Sequence, residues 1–293
     1  MLWLTGCRGL LGTELTLLFE AQGQSYTGTD LELDITNRQA LLSFAENKKS
    51  IEWIINCAAY TAVDKAEDDI ENCRLLNTNG PENMAWIAGK TGARLIHIST
   101  DYVFNGQGNS PYTEKDATSP IGVYGLTKRD GEIKVLQENK KSYIIRTAWL
   151  YGKYGNNFVR TMLKLMTERE SISVVNDQTG SPTWAHDLAK TICDFIRHEG
   201  KEIPYGIYHY TNEGEITWFD FAREIYAQAK ALGVFPKNRG AIQDCEVKPC
   251  SSSDFPARVK RPSYSVLDKT KIKTTLGINI PVWNESLRKF LSA

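Results

Sequence analysis

Trp3-Leu4-Thr5-Gly6-Cys7-Arg8-Gly9-Leu10-Leu11-Gly12 leads straight into Glu14-Leu15-Thr16-Leu17-Leu18-Phe19. Three residues suited to a buried strand are followed by glycines three apart. An amphipathic helical run comes next, with Gly23 as its stop signal. Glycines in a strand–helix turn allow a tight bend and let backbone N–H groups approach a pyrophosphate at the positive end of the helix. The spacing of Gly6, Gly9 and Gly12 differs from the usual G-x-G-x-x-G but serves the same purpose. A glycine-rich turn without a ligand is the alternative. The correct flanking elements favour a dinucleotide site.

Outward from this unit, Tyr26-Thr27-Gly28-Thr29-Asp30 fits the second strand, with Asp30 18 residues after Gly12. A carboxylate there can bond the adenosine ribose 2′-hydroxyl and would repel a 2′-phosphate, which favours NAD over NADP. Arg8, a cation inside the glycine loop, argues the other way, and Asp30 also reads as a turn residue. Thr36 and Gln39 have capping-box spacing for a helix through Phe44. Trp53 to Ala59 is the next buried strand, whose Ala58 and Ala59 leave room for a cofactor or for close helix packing. A helical pattern runs from Glu71 to Lys90, and Leu95-Ile96-His97-Ile98-Ser99 is another strand. Strands and helices alternating in this way predict an α/β fold, a Rossmann-type doubly wound parallel sheet.

That fourth strand leaves through Thr100-Asp101-Tyr102-Val103-Phe104 and a Gly/Pro-rich loop to a helix carrying Tyr124-Gly-Leu-Thr-Lys128. Positions four apart share a helix face, so the Tyr124 hydroxyl and the Lys128 ammonium can point at one spot. Thr100, at a strand end, can reach it too. Such a trio suits proton transfer coupled to hydride transfer. A neighbouring ammonium favours phenolate, and bringing a phenol from about 10 to about 7 corresponds to ~4 kcal/mol of differential interaction. By itself Tyr-x-x-x-Lys is equally a surface pair on a helix.

The 293 residues include 35 basic and 35 acidic side chains, so net charge points to neither nucleic acid nor an anionic membrane. The length suits a large lobe plus a small one. The expected division is a dinucleotide domain over 1–150 and a smaller α/β substrate lobe over 151–293, some of whose segments return to the first. The apolar start Met1 to Thr5 stops at Gly6 without a basic flank, which suits neither a signal peptide nor a spanning helix. Six cysteines without a C-x-x-C pair and four histidines without H-x-x-x-H predict a cytoplasmic protein with no zinc site.

In the second half, Phe158 to Glu168, Trp184 to Arg197 and Trp218 to Leu232 read as helices, and Ser171 to Val175 and Gly206 to Tyr210 as strands. Arg258, Lys260 and Arg261 read, as residues, as a solvated basic loop.

The glycine turn, Asn56-Cys-Ala-Ala-Tyr-Thr-Ala-Val-Asp-Lys-Ala-Glu67, Ser99-Thr-Asp-Tyr-Val-Phe104 and Tyr124-x-x-x-Lys128 with Gly131-Glu132 resemble the extended short-chain dehydrogenase/reductase superfamily. More narrowly, the chain resembles the dTDP-4-dehydrorhamnose reductase family. Ile145-Arg-Thr-Ala-Trp-Leu-Tyr-Gly152, Asp177-Gln-Thr-Gly-Ser-Pro-Thr183 and Arg261-Pro-Ser-Tyr-Ser265 extend the match over nearly the whole chain. The resemblance implies NADPH or NADH as cofactor and a dTDP-linked 4-keto-6-deoxy sugar as substrate. It implies Tyr124 as general acid to the C4 oxygen, Lys128 on the nicotinamide ribose and lowering the Tyr124 pKa, and Thr100 polarising the ketone. Gly9, Leu10 and Leu11 would line the pyrophosphate, Asp30, Asp34 and Ile35 the adenosine end, and Ala58, Ala59, Tyr60 and Thr61 the middle of the cofactor. Asp101 and Tyr102 would contact the sugar, Val63 would border its pocket, and Trp149 would pack against the sugar or the nucleotide. Arg258 and Arg261 become candidates for the substrate diphosphate.

Some members of that family form metal-linked dimers through acidic residues. Glu14 matches the start of such a cluster, but His186-Asp187 supplies one further carboxylate only. No required metal is therefore expected, and a monomer or homodimer is. The same scaffold also resembles the non-catalytic β subunit of methionine adenosyltransferase, though a pure binding role needs no proton donor. An epimerase or dehydratase of the superfamily is a third possibility; a dehydratase would carry Asp-Glu after the threonine, where this chain has Asp101-Tyr102.

Overall fold

A computed structural model describes residues 1–48, 50–198, 203–235, 244–254 and 258–293. Strand β1 (Leu2–Thr5) enters helix α1 (Leu10–Ala21), followed by β2 (Tyr26–Thr29), α2 (Arg38–Glu46) and β3 (Trp53–Asn56). Helices α3 (Ile70–Arg74) and α4 (Gly80–Thr91) precede β4 (Arg94–Thr100), and α5 (Val123–Glu138) precedes β5 (Ser142–Thr147). The expected helix from Glu71 to Lys90 is thus interrupted by one π-helical turn, Leu75–Asn79. The turn presents Asn77, whose side chain accepts from the Tyr60 N–H at 2.9 Å and donates to the Tyr60 carbonyl at 3.0 Å. Such a widened turn commonly accompanies a functional site. The cap of α2 also differs from expectation. Asn37 accepts the Ala40 N–H, while the Thr36 hydroxyl is drawn back to Asp34 at 2.9 Å.

Beyond residue 150 the chain forms β6 (Leu150–Tyr151), α6 (Phe158–Glu168), β7 (Ser171–Val175), β8 (Thr179–Gly180), β9 (Thr183–Trp184) and α7 (Ala185–Arg197). β10 (Gly206–His209), β11 (Ile216–Thr217), α8 (Trp218–Ala231), β12 (Glu246–Cys250), α9 (Thr270–Leu276) and α10 (Trp283–Ser292) complete it. The central sheet runs β2-β1-β3-β4-β5-β10, all parallel. Side chains alternate across its faces. Leu2, Leu4, Ile55, Ile96 and Ile145 meet α1 and α7 on one side. On the other, Trp3, Ile54, Leu95 and Ile144 meet Leu41 of α2, Met84 and Ala88 of α4 and Val135 of α5. Both faces are covered, which is why these strands are nearly continuous apolar runs.

The late segments divide between two cores. β10, α7 and α9 pack on the central sheet. Tyr151, Met162, Met166, Val174, Phe221, Ile225 and Leu287 form a separate core with α6, α8 and α10. β12 pairs parallel with β7. This strand, α9 and α10 were not anticipated; they are short, and β12 has little of the burial alternation that betrays a strand.

Candidate active site

A cavity of about 910 Å³ opens where β1, β3, β4 and β5 end, the crevice that open parallel sheets use for ligands. The glycine turn forms one wall. Gly6 has φ +67°, and a Cβ there would lie 2.7 Å from the Ala58 nitrogen. A Cβ on Gly12 would lie 2.0 Å from the Gly6 carbonyl oxygen. These contacts demand glycine and bring bare backbone to the cavity beside the N-terminus of α1. Gly6, Arg8, Gly9, Leu10, Leu11, Gly12, Asp30, Asp34, Ile35, Ala58, Ala59, Thr61, Val63, Thr100, Asp101, Tyr102, Tyr124, Lys128 and Trp149 all line it.

Two of the expected residues lie elsewhere. Tyr60 is absent from the wall, its backbone clamped by Asn77. Arg258 lines neither this cavity nor its neighbour and ion-pairs with Asp68. Arg261 does line the adjoining cavity of about 690 Å³, which shares Val63 and Tyr102 with the first. Its guanidinium lies 2.5 Å from Asp64 and 3.4 Å from the Tyr102 hydroxyl.

Thr100 ends β4, Tyr124 stands in the first turn of α5, and Lys128 lies one turn on. The Lys128 ammonium is buried and donates to the Ile98 carbonyl at 2.6 Å. Burial lowers its pKa to about 8, with the nearby Glu132 carboxylate opposing the fall. The expectation that Lys128 pulls the Tyr124 phenol down is not met. Burial pushes Tyr124 above its ordinary value, a hydrogen bond with Thr100 opposes this, and the ammonium is directed at Ile98. A phenol that keeps its proton is the form a proton donor requires.

The Thr100 hydroxyl donates to Asp101 Oδ1 at 2.9 Å and accepts from the Tyr102 N–H at 3.2 Å. Burial raises the Asp101 carboxyl to about 6, and among the described residues its Oδ2 has no hydrogen-bond partner. Because the folded value exceeds the ordinary carboxyl value of 3.8, the neutral form is favoured by folding. The resulting stability is fully present below about pH 4 and is lost as pH rises through about 6. Moving the carboxyl this far corresponds to about 3 kcal/mol. Asp101→Asn is therefore expected to stabilise the fold at pH 8 by up to about 3 kcal/mol and to change little at pH 4. Urea unfolding at the two pH values checks this; equal effects at both would remove the ionisation argument.

The family model described as the RmlD substrate binding domain matches residues 1–293. The chain belongs to the RmlD family, that of the dTDP-4-dehydrorhamnose reductases. A dTDP-4-dehydrorhamnose reductase of Aggregatibacter actinomycetemcomitans is 38% identical over 98% of this chain and 97% of its own length. The crystal structure of a dTDP-4-dehydrorhamnose reductase from Clostridium acetobutylicum is 40% identical, covers 99% of this chain and 98% of its own, and superposes with a TM-score of 0.90. The enzyme of Bacillus anthracis, solved in complex with NADP, is 38% identical at TM-score 0.90, with 99% and 97% covered.

Within this RmlD-family site, three features were not recognised from sequence. Glu132 lies one turn after Lys128 and is buried with Arg146, which donates to it at 2.9 and 2.6 Å. Ser99 donates to the same carboxylate at 2.5 Å, and Arg146 rests 5.1 Å over the Phe104 ring. The i,i+4 spacing of Lys128 and Glu132 was the available signal. Trp149 adopts φ +48° and stacks on Trp218 at 3.5 Å between centroids, a pairing of residues 69 positions apart with no local signature. Leu31, Leu33 and Leu76 line the cavity together with Asp30 and Ile35.

Glu14 accepts from His186 at 3.1 Å if Nδ1 carries the proton, while Asp187 is turned inward to Asn212 and Ser286. Among the described residues, no three His, Cys, Asp or Glu side chains come together as a metal site. None of the described helices is long and apolar enough to cross a membrane.

Proposed function

We propose that this protein reduces the C4 ketone of dTDP-4-dehydro-β-L-rhamnose to dTDP-β-L-rhamnose with NADPH or NADH, in dTDP-L-rhamnose biosynthesis. The observation that carries this is that Thr100, Tyr124 and Lys128 all line the glycine-walled cavity, which shares Val63 and Tyr102 with the one lined by Arg261. The residues fit a dinucleotide: bare glycine backbone at the start of α1, a carboxylate where β2 ends, and apolar side chains beside it. When bound, the nicotinamide supplies the hydride.

The chain's own groups do the rest. Tyr124, held neutral by burial, gives its proton to the carbinol oxygen as it forms. Thr100, beside it, turns its hydroxyl proton from Asp101 to the same oxygen and stabilises the developing charge. Lys128, as the ammonium, donates to the nicotinamide ribose. Asp101, Tyr102, Val63 and Trp149 border the sugar, and Arg261 takes a phosphate oxygen in exchange for Asp64. Residues 1–150 carry mainly the dinucleotide and 151–293 mainly the sugar nucleotide. A cytoplasmic location belongs to the same proposal, supported by six cysteines that all stand free.

The test is oxidation of NADPH and NADH, followed by nicotinamide absorbance, with dTDP-4-dehydro-β-L-rhamnose and no partner protein. Formation of dTDP-L-rhamnose supports the proposal. Tight coenzyme binding with no turnover favours instead a non-catalytic module or another keto-sugar nucleotide. Because Lys128 titrates near 8 and acts as a cation, kcat/KM is expected to fall as pH rises through about 8. A profile flat to pH 9.5 would remove that role.

A further inference from the structure

Tyr124, Thr100 and Asp101 form a short chain of hydrogen bonds whose direction decides what the site can offer a carbonyl. The Tyr124 hydroxyl hydrogen-bonds Thr100, and the Thr100 hydroxyl donates to Asp101 Oδ1 at 2.9 Å. Each hydroxyl carries one proton. With Asp101 ionised, the chain runs from Tyr124 through Thr100 to the carboxylate, and both protons are turned away from a carbonyl in the cavity. The carboxylate would also oppose the negative charge that develops on that carbonyl.

Asp101 lines the cavity, is 2% exposed, and among the described residues its Oδ2 has no hydrogen-bond partner. The titratable groups acting with it are the phenols of Tyr102, on its own turn, and Tyr124, on α5; the Ser265 hydroxyl faces it from the segment before α9. The nearby cations are engaged elsewhere, Lys128 at the Ile98 carbonyl and Arg261 at Asp64 and the Tyr102 hydroxyl. A buried carboxyl without a compensating cation favours its neutral form.

We propose that Asp101 is a positioning residue that works as the neutral acid: its O–H donates to Thr100 Oγ1 and so turns the single Thr100 proton toward the substrate carbonyl. Thr100 Oγ1 already accepts the Tyr102 N–H at 3.2 Å. The acid O–H fills its second lone pair. Tyr124 then finds no acceptor on Thr100, and its proton too is left for the carbonyl oxygen. No proton leaves Asp101 in the reaction; the carboxyl sets direction only. This rests on the reading of the cavity as a ketone reductase site.

The test is the pH profile of kcat/KM with dTDP-4-dehydro-β-L-rhamnose, from about pH 5 to about 7.5, in wild type, Asp101→Asn and Thr100→Val. This ratio reports groups of the free enzyme, where burial brings the Asp101 carboxyl to about 6. Wild-type kcat/KM is expected to fall about tenfold or more as pH rises through about 6, towards the ~10²-fold cost of a lost oxyanion donor. The fall near 8 that Lys128 gives is separate. An amide N–H stands in for the acid O–H at every pH. Asp101→Asn should therefore turn over without the step, its values at the two ends agreeing within about twofold. Thr100→Val, slower throughout, should show a smaller step than wild type, since Asp101 acts through the hydroxyl. An active wild type without the step would overturn the proposal and leave the reductase reading intact. So would a step that survives in Asp101→Asn or is undiminished in Thr100→Val, or an Asp101→Asn protein that binds coenzyme without turnover. No turnover by the wild type at any pH would overturn both.

Discussion

Tyr124→Phe is expected to lower kcat by about 10²- to 10⁴-fold, the usual contribution of a positioned general acid. The ring is retained, so its edge contact with Tyr102 at 5.5 Å between centroids survives, and the cavity keeps its shape. What disappears is the phenolic proton that stands beside Thr100. Coenzyme dissociation constants should stay within about twofold, since the variant loses no charge. Single-turnover absorbance of the coenzyme, with binding measured separately, distinguishes chemistry from affinity. Near-normal turnover in Tyr124→Phe would transfer the proton-donor role to another group.

Loss of Glu132 should have the largest effect on stability. Removing one partner of a buried ion pair costs about 3–5 kcal/mol, because the other charge is left uncompensated. In Glu132→Ala the stranded group is Arg146, 2% exposed, and Ser99 loses its acceptor as well. Melting is expected to fall by roughly 10 °C. The milder Glu132→Gln separates support of the fold from tuning of Lys128. Without the carboxylate the ammonium is less favoured, so the alkaline limb of kcat/KM should move below about 8. Combining Glu132→Gln with Arg146→Met should recover stability, since no buried charge is stranded, but the limb should stay displaced. A limb that returns with stability would make Glu132 a structural residue alone.

Much of the site was legible because its signals are local. Gly12 is set by contacts within one turn, Tyr124 and Lys128 by helical period, and Thr100 by its place after an apolar run. The strands of the sheet announced themselves through burial on both faces. What escaped notice depends on approach between distant segments. The Asn77 clamp on Tyr60 needs a π-helical turn, the Trp149–Trp218 stack needs α8 folded back to the cavity, and the Glu132–Arg146 pair bridges a helix and the strand after it. Arg258 and Arg261 looked alike in sequence, yet their guanidinium groups face Asp68 and Asp64 respectively, and of the two it is Arg261 that lines the cavity adjoining the glycine-walled one.

The alternation of strands and helices through β5, the glycine turn and the placing of Thr100, Tyr124 and Lys128 after and along those elements were legible in sequence alone, because periodicity and turn sterics act over a few residues. The ionisation of that trio was decided by tertiary structure. Lys128 and Tyr124 sit four residues apart in either description, but only burial, the Ile98 carbonyl and the Glu132 carboxylate set where each holds its proton. Desolvation and charge depend on everything that packs around a group, and that sum exists only in the folded chain.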